Sequence, residues 1–321
     1  MAERAQIGVV AIGRNEGARL ERCLSSVLAQ VRHVVYVDSG SSDGSQDKAR
    51  AMGAEVVALD MTQPFTAARA RNTGLDALLE ITPALDFVQF IDGDCELQPG
   101  WIATAQDFLE GRPDAAVACG RRRERFPEAS VYNRLIDQEW DTPVGQAKAC
   151  GGDALMRVNA LRDVAGFNPT LIAGEEPELC VRLRAAGWTI WRLDAEMTLH
   201  DAALTRASQW WKRAKRAGHA YAEGAALHGA PPERHGVKPT RSALIWGGAL
   251  PLVALLGMVL TPWSLLLLLA WPLQVIRLAL RDGDWAQAFF VTAGKLPEAQ
   301  GALEFFLNRL RGRRGGLIEY K

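Results

Sequence analysis

Short apolar runs alternate with helix-type stretches along the first 200 or so residues of the chain. The runs lie at residues 7–12, 33–38, 55–59 and 86–91, and each is predicted to be a strand. In the stretch after the first run, apolar residues recur at three- and four-residue spacing, at positions 20, 23, 24, 27 and 28, which indicates an amphipathic helix. Alternating strands and helices predict an α/β fold, a mixed, mostly parallel sheet flanked by helices.

The pattern changes in the C-terminal third, where residues 243–280 are apolar except for Arg277. One membrane-spanning helix takes about 20 apolar residues, so this run predicts two short transmembrane helices with a break near Thr261 and Pro262. Basic residues on both flanks, such as Arg241 and Arg281, favour a hairpin with both ends in the cytoplasm. The alternative is a buried helical pair in a soluble protein. The predicted organisation is a catalytic domain at 1–235, a membrane anchor at 236–282 and an amphipathic basic tail at 283–321.

Composition narrows the classes of function. Lys plus Arg and Asp plus Glu are equal at 37 each, which argues against a nucleic-acid partner held by bulk charge. The five cysteines are scattered and never form CxxC, so a disulfide framework or structural zinc site is not expected and a reducing cytosol fits. We therefore predict a protein of the cell membrane whose catalytic domain is on the cytoplasmic side.

Polar residues follow the predicted strands. Asn15 and Glu16 come after the first strand, Asp38 ends the second, and the tripeptide Asp92–Gly93–Asp94 follows the fourth. In open α/β sheets, ligands bind outside the carboxyl ends of strands, so these residues are expected to meet at one site. Polar turns or helix caps are the alternative for each of them. A second copy of the tripeptide, at 282–284, has no strand before it and is predicted to be a solvated loop.

Five motifs in order carry a resemblance to a known family: AIGRNEGARLERCLSSVLAQ, VVYVDSGSSDGS, ARARNTGL, FIDGDCEL and GEEPELCVRLRAAGW. Together they resemble the family 2 glycosyltransferases of GT-A fold, over roughly residues 7–200. The resemblance implies a nucleotide-diphosphate-sugar donor, a divalent ion (Mg²⁺ or Mn²⁺) and usually inversion at the anomeric carbon. A diphosphate leaving group needs charge compensation, and hard cations prefer carboxylate oxygens.

The resemblance also implies roles for individual residues. The set comprises donor contacts at Asn15, Glu16, Asp38, Arg71, Asp92 and Gly93, metal contacts at Asp94, Asp92 and His200, an acceptor-side loop at Gly151, Gly152 and Asp153, and a catalytic pair at Glu175 and Glu176. The family usually has Glu-Asp where this chain has two glutamates, and Glu176 matches the base. Its extra methylene shifts the carboxylate by about 1.5 Å, one C–C bond length.

The predicted function is sugar transfer by a hexosyltransferase-type enzyme from a nucleotide-diphosphate-sugar donor to a lipid-linked or envelope glycan acceptor. The alternative is a non-catalytic sugar-nucleotide-binding component of a membrane glycan-assembly complex. The sequence allows more than one role for two further segments. The tryptophan- and lysine-rich stretch around 208–223 fits either a membrane-interface helix or an ordinary amphipathic helix. The charge run at 121–125 fits a membrane-facing or acceptor-facing segment, or a solvated face.

Overall fold

The structure, a computed structural model, describes residues 5–313. Their contacts divide the chain into two compact units. The first holds the residues up to Ala129, Ile136–Leu171 and Glu175–Ala203, and the second holds Ser130–Leu135, Ile172–Gly174 and the chain from Leu204. The long helix that starts at Ala207 therefore groups with the C-terminal segment. The domain boundaries at 235 and 282 stay predictions.

The first unit is built on one mixed sheet, whose strands in the described residues are β1 Ile7–Gly13, β2 His33–Asp38, β3 Glu55–Ala58, β4 Phe87–Asp92, β5 Cys95–Leu97, β6 Ala115–Glu124, β7 Gly145–Ala147, β8 Ala154–Arg157 and β9 Thr189–His200. Their order is β3-β2-β1-β4-β8-β6-β9-β5, with β7 also on β9. Strands β1, β2, β3, β4, β6 and β9 run in one direction and β5, β7 and β8 in the other. The predicted mixed, mostly parallel sheet is confirmed.

The helices of the first half are α1 Ala18–Leu28, α2 Ser45–Met52, α3 Ala67–Ile81, α4 Trp101–Glu110, α5 Val131–Glu139, α6 Val158–Asp163 and α7 Glu175–Ala185, with a single 3₁₀ turn at Pro127–Ala129. Helix α1 buries Leu20, Cys23, Leu24 and Val27, the face that the spacing predicts. Helix α3 packs tightly on the sheet, because a Cβ on Gly74 would lie 2.3 Å from Val10 Cγ1. The sequence pattern therefore identifies both the central strands and the helices that cover them.

The register of the central strands places the carboxyl ends of β1, β2 and β4 at one rim of the sheet. Strand β1 lies between β2 and β4, with Gly13 opposite Asp38 and Ile12 opposite Asp92. Neighbouring strands are about 4.8 Å apart, so the backbones at Asp38 and Asp92 are about 10 Å apart. The convergence expected from the strand ends is thus present in the backbone.

The second unit is helical: α8 Ala207–His228, α9 Val237–Gly257, α10 Pro262–Asp282, α11 Trp285–Ala293 and α12 Lys295–Leu310. Helices α8 and α12 meet through glycines. A Cβ on Gly218 would lie 2.0 Å from the Glu298 carbonyl oxygen, and one on Gly301 would lie 1.9 Å from that of Lys215. Such small-residue contacts let two helix backbones approach closely. The predicted tail is therefore largely a packed helix in its described part, and residues 314–321 lie outside the described residues.

Helices α9 and α10 have the length and apolar composition of membrane spans. Only 17% of the most apolar window of α9 and 6% of that of α10 are buried, whereas the core helix of a soluble protein is mostly buried. The break falls at residues 258–261, and the Thr261 hydroxyl accepts a hydrogen bond from the Trp263 amide as α10 begins. The two predicted membrane helices and the break between them are confirmed as candidate spans.

Candidate active site

The tripeptide Asp92–Gly93–Asp94 forms the tight connection between β4 and β5. The Gly93 amide donates a 2.7 Å hydrogen bond to the carbonyl of Ile12, at the end of β1. A Cβ on Gly93 would lie 3.1 Å from that carbonyl oxygen. The glycine thus lets the turn lie against the neighbouring strand, and the two aspartates project from the carboxyl rim of the sheet.

Asp94 pairs with His200, which is 106 residues away in the sequence. Strand β5 runs antiparallel to β9, with Cys95 opposite His200. Asp94 Oδ2 lies 3.3 Å from His200 Nε2, and Glu124 Oε2 lies 3.7 Å from the other ring nitrogen, Nδ1. Burial lowers the pKa of His200, and the Arg122 charge lowers that pKa further. The imidazole is therefore neutral at pH 7, which is the form that binds metals.

These residues fit a hard divalent ion. Potential ligand atoms of Asp94, Cys95 and His200 lie within 4.8 Å of one another. Burial raises the pKa of the Cys95 thiol well above its usual value, so without an ion the sulfur is a neutral thiol. A carboxylate oxygen with an imidazole nitrogen suits Mn²⁺ or Mg²⁺ better than a soft, thiolate-seeking metal.

Arg71 lies at the centre of a second cluster, in which three carboxylates contact one guanidinium. Its Nη2 is 2.9 Å from Asp92 Oδ1, and its Nη1 is 3.0 Å from Glu175 Oε1 and 2.8 Å from Glu176 Oε1. Arg71 is 3% exposed in its side chain. Burial alone lowers the pKa of Arg71, but Glu176, Asp92 and Glu175 raise it above its ordinary value. The cation is permanent and fixes the positions of all three acids.

Glu176 is the member of this cluster that can exchange a proton near neutral pH. Burial raises its pKa, the neighbouring Glu175 and Asp92 charges raise it further, and Arg71 lowers it, with a net value of about 7. Glu176 stands in the first turn of α7, where the helix also carries Glu175 and Glu178. A carboxylate with a pKa near the working pH is suited to general base chemistry.

Gly152 closes the cluster from the side of the loop that precedes β8. A Cβ at this position would lie 2.5 Å from Arg71 Nη2 and 3.1 Å from both Asp92 Oδ2 and Glu176 Oε1. Gly151, one residue earlier, has far more room, because its Cβ would meet only Arg122 Nη1, at 3.9 Å. The loop backbone therefore approaches the charged cluster at Gly152 more closely than any side chain allows.

Gly152→Ala is expected to lower turnover about a hundredfold, because the new methyl pushes the buried guanidinium away from its carboxylates, and a shift of about 1 Å can cost that much. Overpacking should also lower the free energy of unfolding by about 1–3 kcal/mol. Steady-state turnover and chemical denaturation measure the two effects. Gly151→Ala is the matched control and should be close to the unmodified protein in both. Equal behaviour of the two variants would contradict the close approach at Gly152.

The loop after β2 is held by Asp38, Asn15 and Asp43. Asp38 is fully buried and accepts hydrogen bonds from Tyr36, Gln46 and the amides of Gly40 and Ser41. Burial alone raises the pKa of Asp38, but these hydrogen bonds outweigh burial and lower it. Asn15 accepts a hydrogen bond from the Ser42 amide, and Asp43 accepts one from the Gly17 amide. Asn15 and Asp43 thus join the chain after β1 to the loop after β2, whereas Asp38 holds its own loop. The donor contacts assigned to Asn15 and Asp38 stay predictions.

Glu16 and Asp153 also lie at this rim. Glu16 Oε2 is 2.8 Å from Arg19 Nη2, and its Cγ would be 3.4 Å from a Cβ on Gly93. Asp153 is buried at the start of β8, where it accepts hydrogen bonds from the Asp92 amide and the Thr198 hydroxyl. Asp153 therefore holds the backbone of Asp92 in place through this hydrogen bond.

The sequence analysis left the role of residues 121–125 open and did not single out Arg122, Glu124 or Trp140. The charge run at 121–125 is not a solvated face, because most of it belongs to β6, where Arg121 and Glu124 are buried. Arg122 reaches Asp92 Oδ2 at 3.4 Å and lies over the Trp140 ring, 4.7 Å from its centroid. The sequence does contain a sign of this arrangement. The arginines follow directly on the apolar run at 115–119, which predicts a strand that continues through them.

A comparison with protein-family models tests the resemblance drawn from the motifs. Residues 9–161 match the model described as glycosyl transferase family 2. The match covers just under half of the chain, so this segment is similar to a family 2 glycosyltransferase domain. The resemblance drawn from the five motifs is confirmed. The matched residues include the Asp92–Gly93–Asp94 turn and the loop at Gly151–Asp153, whereas Glu175, Glu176 and His200 lie beyond them.

Two relatives are similar to this chain beyond the residues of the family model. The pre-mycofactocin glycosyltransferase of Mycobacterium tuberculosis is 27% identical over 255 residues, which are 76% of this chain and 51% of that protein. The succinoglycan biosynthesis protein ExoA of Rhizobium meliloti is 25% identical over 207 residues, 61% of this chain and 62% of that protein. The chain thus spans about half the length of the first of these relatives and less than two thirds of the second.

Solved structures confirm the GT-A fold of this chain. The mannosyltransferase PcManGT from Pyrobaculum calidifontis, in complex with GDP-Man and Mn²⁺, superposes with a TM-score of 0.64 at 21% identity, over 94% of this chain and 88% of that one. Glucosyl-3-phosphoglycerate synthase from Mycobacterium tuberculosis, in complex with Mn²⁺, UDP and glucosyl-3-phosphoglycerate, gives a TM-score of 0.51 at 20% identity, over 71% and 81%.

Proposed function

We propose that the chain is a membrane-anchored glycosyltransferase. It uses Mg²⁺ or Mn²⁺ to transfer a sugar from a nucleotide-diphosphate-sugar donor to a hydroxyl or phosphate of a lipid-linked or envelope glycan acceptor. The observation that carries the proposal is the meeting of the Asp94–His200 pair and the Arg71 carboxylate cluster at one rim of a GT-A sheet. This reaction needs charge compensation at the diphosphate and an acceptor for the proton, and these two groups of residues are suited to supply them.

In this proposal Asp94 and His200 would hold the ion, and Asp92 would lie beside it. When bound, the ion compensates the charge that develops on the nucleoside diphosphate as its bond to the sugar breaks. Both solved relatives named above are complexes with Mn²⁺ and a nucleotide or nucleotide sugar, which supports this choice of donor and ion.

Glu176 is proposed as the general base. Its carboxylate takes the proton from the attacking acceptor hydroxyl, and its pKa of about 7 lets it accept that proton near neutral pH. Arg71 and Glu175 hold it in position through the contacts described above, and Gly152 leaves room for that arrangement. The donor contacts proposed for Asn15, Glu16, Asp38 and Gly93 belong to the same rim.

The acceptor class is supported by the second unit and by one relative. Helices α9 and α10 are suited to holding the chain at a membrane, where an amphiphilic acceptor is concentrated. ExoA is named for succinoglycan biosynthesis, a polysaccharide pathway. The basic flanks of the hairpin favour a catalytic domain on the cytoplasmic side, where nucleotide sugars are made.

Binding of nucleoside diphosphates together with Mn²⁺ tests this proposal. A bound ligand at about 100 times its Kd stabilises a protein by about 2.7 kcal/mol, so the melting temperature should rise by several degrees with the right diphosphate and Mn²⁺ together. Uridine, guanosine, adenosine, cytidine and thymidine diphosphates are compared with their monophosphates on the detergent-purified full chain. The monophosphates should raise the melting temperature less than the diphosphates do, because they lack the second phosphoryl group.

No stabilisation by any diphosphate, with or without Mn²⁺ or Mg²⁺, would contradict the proposed donor. Stabilisation without sugar transfer to any acceptor in a lipid-phosphate and glycan panel would favour the alternative of a non-catalytic binding component.

A further inference from the structure

A second group of potential metal ligands lies beside the Asp94–His200 pair, and an arginine occupies it. Ligand atoms of Asp92, Cys95 and Asp153 lie within 4.8 Å of one another. Arg122 Nη2 is 3.4 Å from Asp92 Oδ2 and 3.4 Å from Cys95 Sγ, while Arg122 Nε is 3.5 Å from Asp153 Oδ2. The guanidinium therefore contacts all three members of the group.

We propose that Arg122 is a built-in cation that fills this group and confines the divalent ion to Asp94 and His200. The inference rests on the proposed function only in taking the ion to be the Mn²⁺ or Mg²⁺ of that reaction. Arg122 is a positioning residue in this scheme, because it acts on the ion site through Asp92 and Asp153. It makes the centre a site for one divalent ion rather than two.

The charge and geometry of an arginine suit this role. A guanidinium stays protonated at every physiological pH and offers its donors in a rigid plane, so it compensates two carboxylates without a metal. Asp92 and Asp153 lie close together because Asp153 Oδ1 accepts the Asp92 amide hydrogen bond. Two carboxylates this close repel each other unless a cation lies between them. Arg122 supplies one positive charge, where a second divalent ion would supply two.

Arg122 is held in place by neighbours on two sides. Its guanidinium stacks over Trp140, whose ring meets the His200 ring edge-on at 4.8 Å and 88°. On the sheet, Arg122 pairs with Thr198 of β9, and the Thr198 hydroxyl donates a 2.8 Å hydrogen bond to Asp153. Trp140 thus touches both the cation that fills one ligand group and the imidazole of the other.

The arrangement also fixes the direction of Asp92. One oxygen of this carboxylate contacts Arg122 and the other contacts Arg71, at 3.4 and 2.9 Å. A divalent ion bound between Asp92 and Asp153 would compete with Arg71 for the same carboxylate. Keeping that ion out preserves the link from the turn at Asp92 to the Arg71 and Glu176 cluster.

The test counts Mn²⁺ ions bound by the purified full chain, by electron paramagnetic resonance of free Mn²⁺ during titration. Arg122→Gln should bind one more Mn²⁺ per chain than the unmodified protein, because the vacated carboxylates can then take an ion. The double variant R122Q with Asp153→Asn should return to the unmodified number. R122K, which keeps a positive charge, should also bind the unmodified number.

Arg123→Gln is the matched control. Arg123 is the next residue in the strand, but it is exposed and pairs with Glu196 at 2.7 Å. Its loss should change neither the number of ions nor their affinity. An arginine with a purely structural role at position 122 would alter stability in R122Q and leave the ion count unchanged.

Equal Mn²⁺ counts in R122Q and the unmodified protein would overturn the inference. A measurement on the unmodified protein stands apart from any folding defect of the variants: anomalous scattering from crystals grown with Mn²⁺ should show an ion at Asp94 and His200 and none between Asp92 and Asp153. An ion between those two aspartates would equally overturn it. If the unmodified protein binds no Mn²⁺, the proposed function loses its metal, while the difference between R122Q and the unmodified protein still decides the role of Arg122.

Discussion

Replacing Asp94 with alanine is expected to lower the rate of sugar transfer about a thousandfold. The Lewis-acid contribution of a bound divalent ion is worth several kcal/mol, and each 1.36 kcal/mol is about tenfold in rate. Asp94 is buried and faces the neutral His200 imidazole, so its carboxylate supplies the oxygen ligand of the pair and its negative charge. Transfer, or donor hydrolysis in the absence of acceptor, measures the rate across an Mn²⁺ titration, and Mn²⁺ binding itself should be lost in parallel.

The second copy of the tripeptide supplies the control. Asp282 ends α10 and its carboxylate pairs with Arg281 at 2.7 Å, while Gly283 adopts a positive φ of 75° and Asp284 accepts a hydrogen bond from the Gln287 amide as α11 begins. This copy is a turn between two helices, as its lack of a preceding strand predicts. Asp282→Ala makes the same chemical change in the same tripeptide and should leave turnover intact. Unchanged turnover in D94A would remove the metal assignment.

Glu176→Gln is expected to lower turnover by about two to four orders of magnitude with little loss of donor binding. The glutamine keeps the size of the side chain but cannot accept the acceptor proton, and a positioned general base contributes about that much. The nucleotide-dependent rise in melting temperature should persist, because the base acts on the acceptor rather than on the diphosphate. A variant that loses nucleotide stabilisation as well would show instead that Glu176 supports the donor site.

The same residue sets a pH dependence. A base works in its deprotonated form, so turnover should fall about tenfold for each pH unit below the pKa of about 7 and level off above it. The E176Q variant should lose this slope. Glu175→Gln is the informative comparison, because Glu175 shares the Arg71 contact but is almost fully buried. It should keep the slope and shift its midpoint downward, since removing the Glu175 charge removes one cause of the raised pKa.

Much of the architecture followed from local patterns. The runs at β1, β2 and β4 are apolar at nearly every position because both faces of these strands are buried. Each run could therefore be recognised as a strand from its own residues alone. The break between α9 and α10 is likewise local, since Thr261 and Pro262 end one helix and start another. The Asp92–Gly93–Asp94 turn could be placed at a strand end for the same reason.

The sequence by itself therefore determined the α/β class, the family resemblance, the two apolar C-terminal helices and the acidic turn, because each depends on residues close together in the chain. Only the tertiary structure decided which charged groups meet. Arg71 contacts acids 21 and 104 residues away, and Asp94 meets His200 through the pairing of β5 with β9. Irregularities in the β6–β9 register between Cys119 and Arg122 interrupt the simple alternation of faces along the arginine run. The placement of Arg122 between two carboxylates thus depends on strand pairing, which no local spacing encodes.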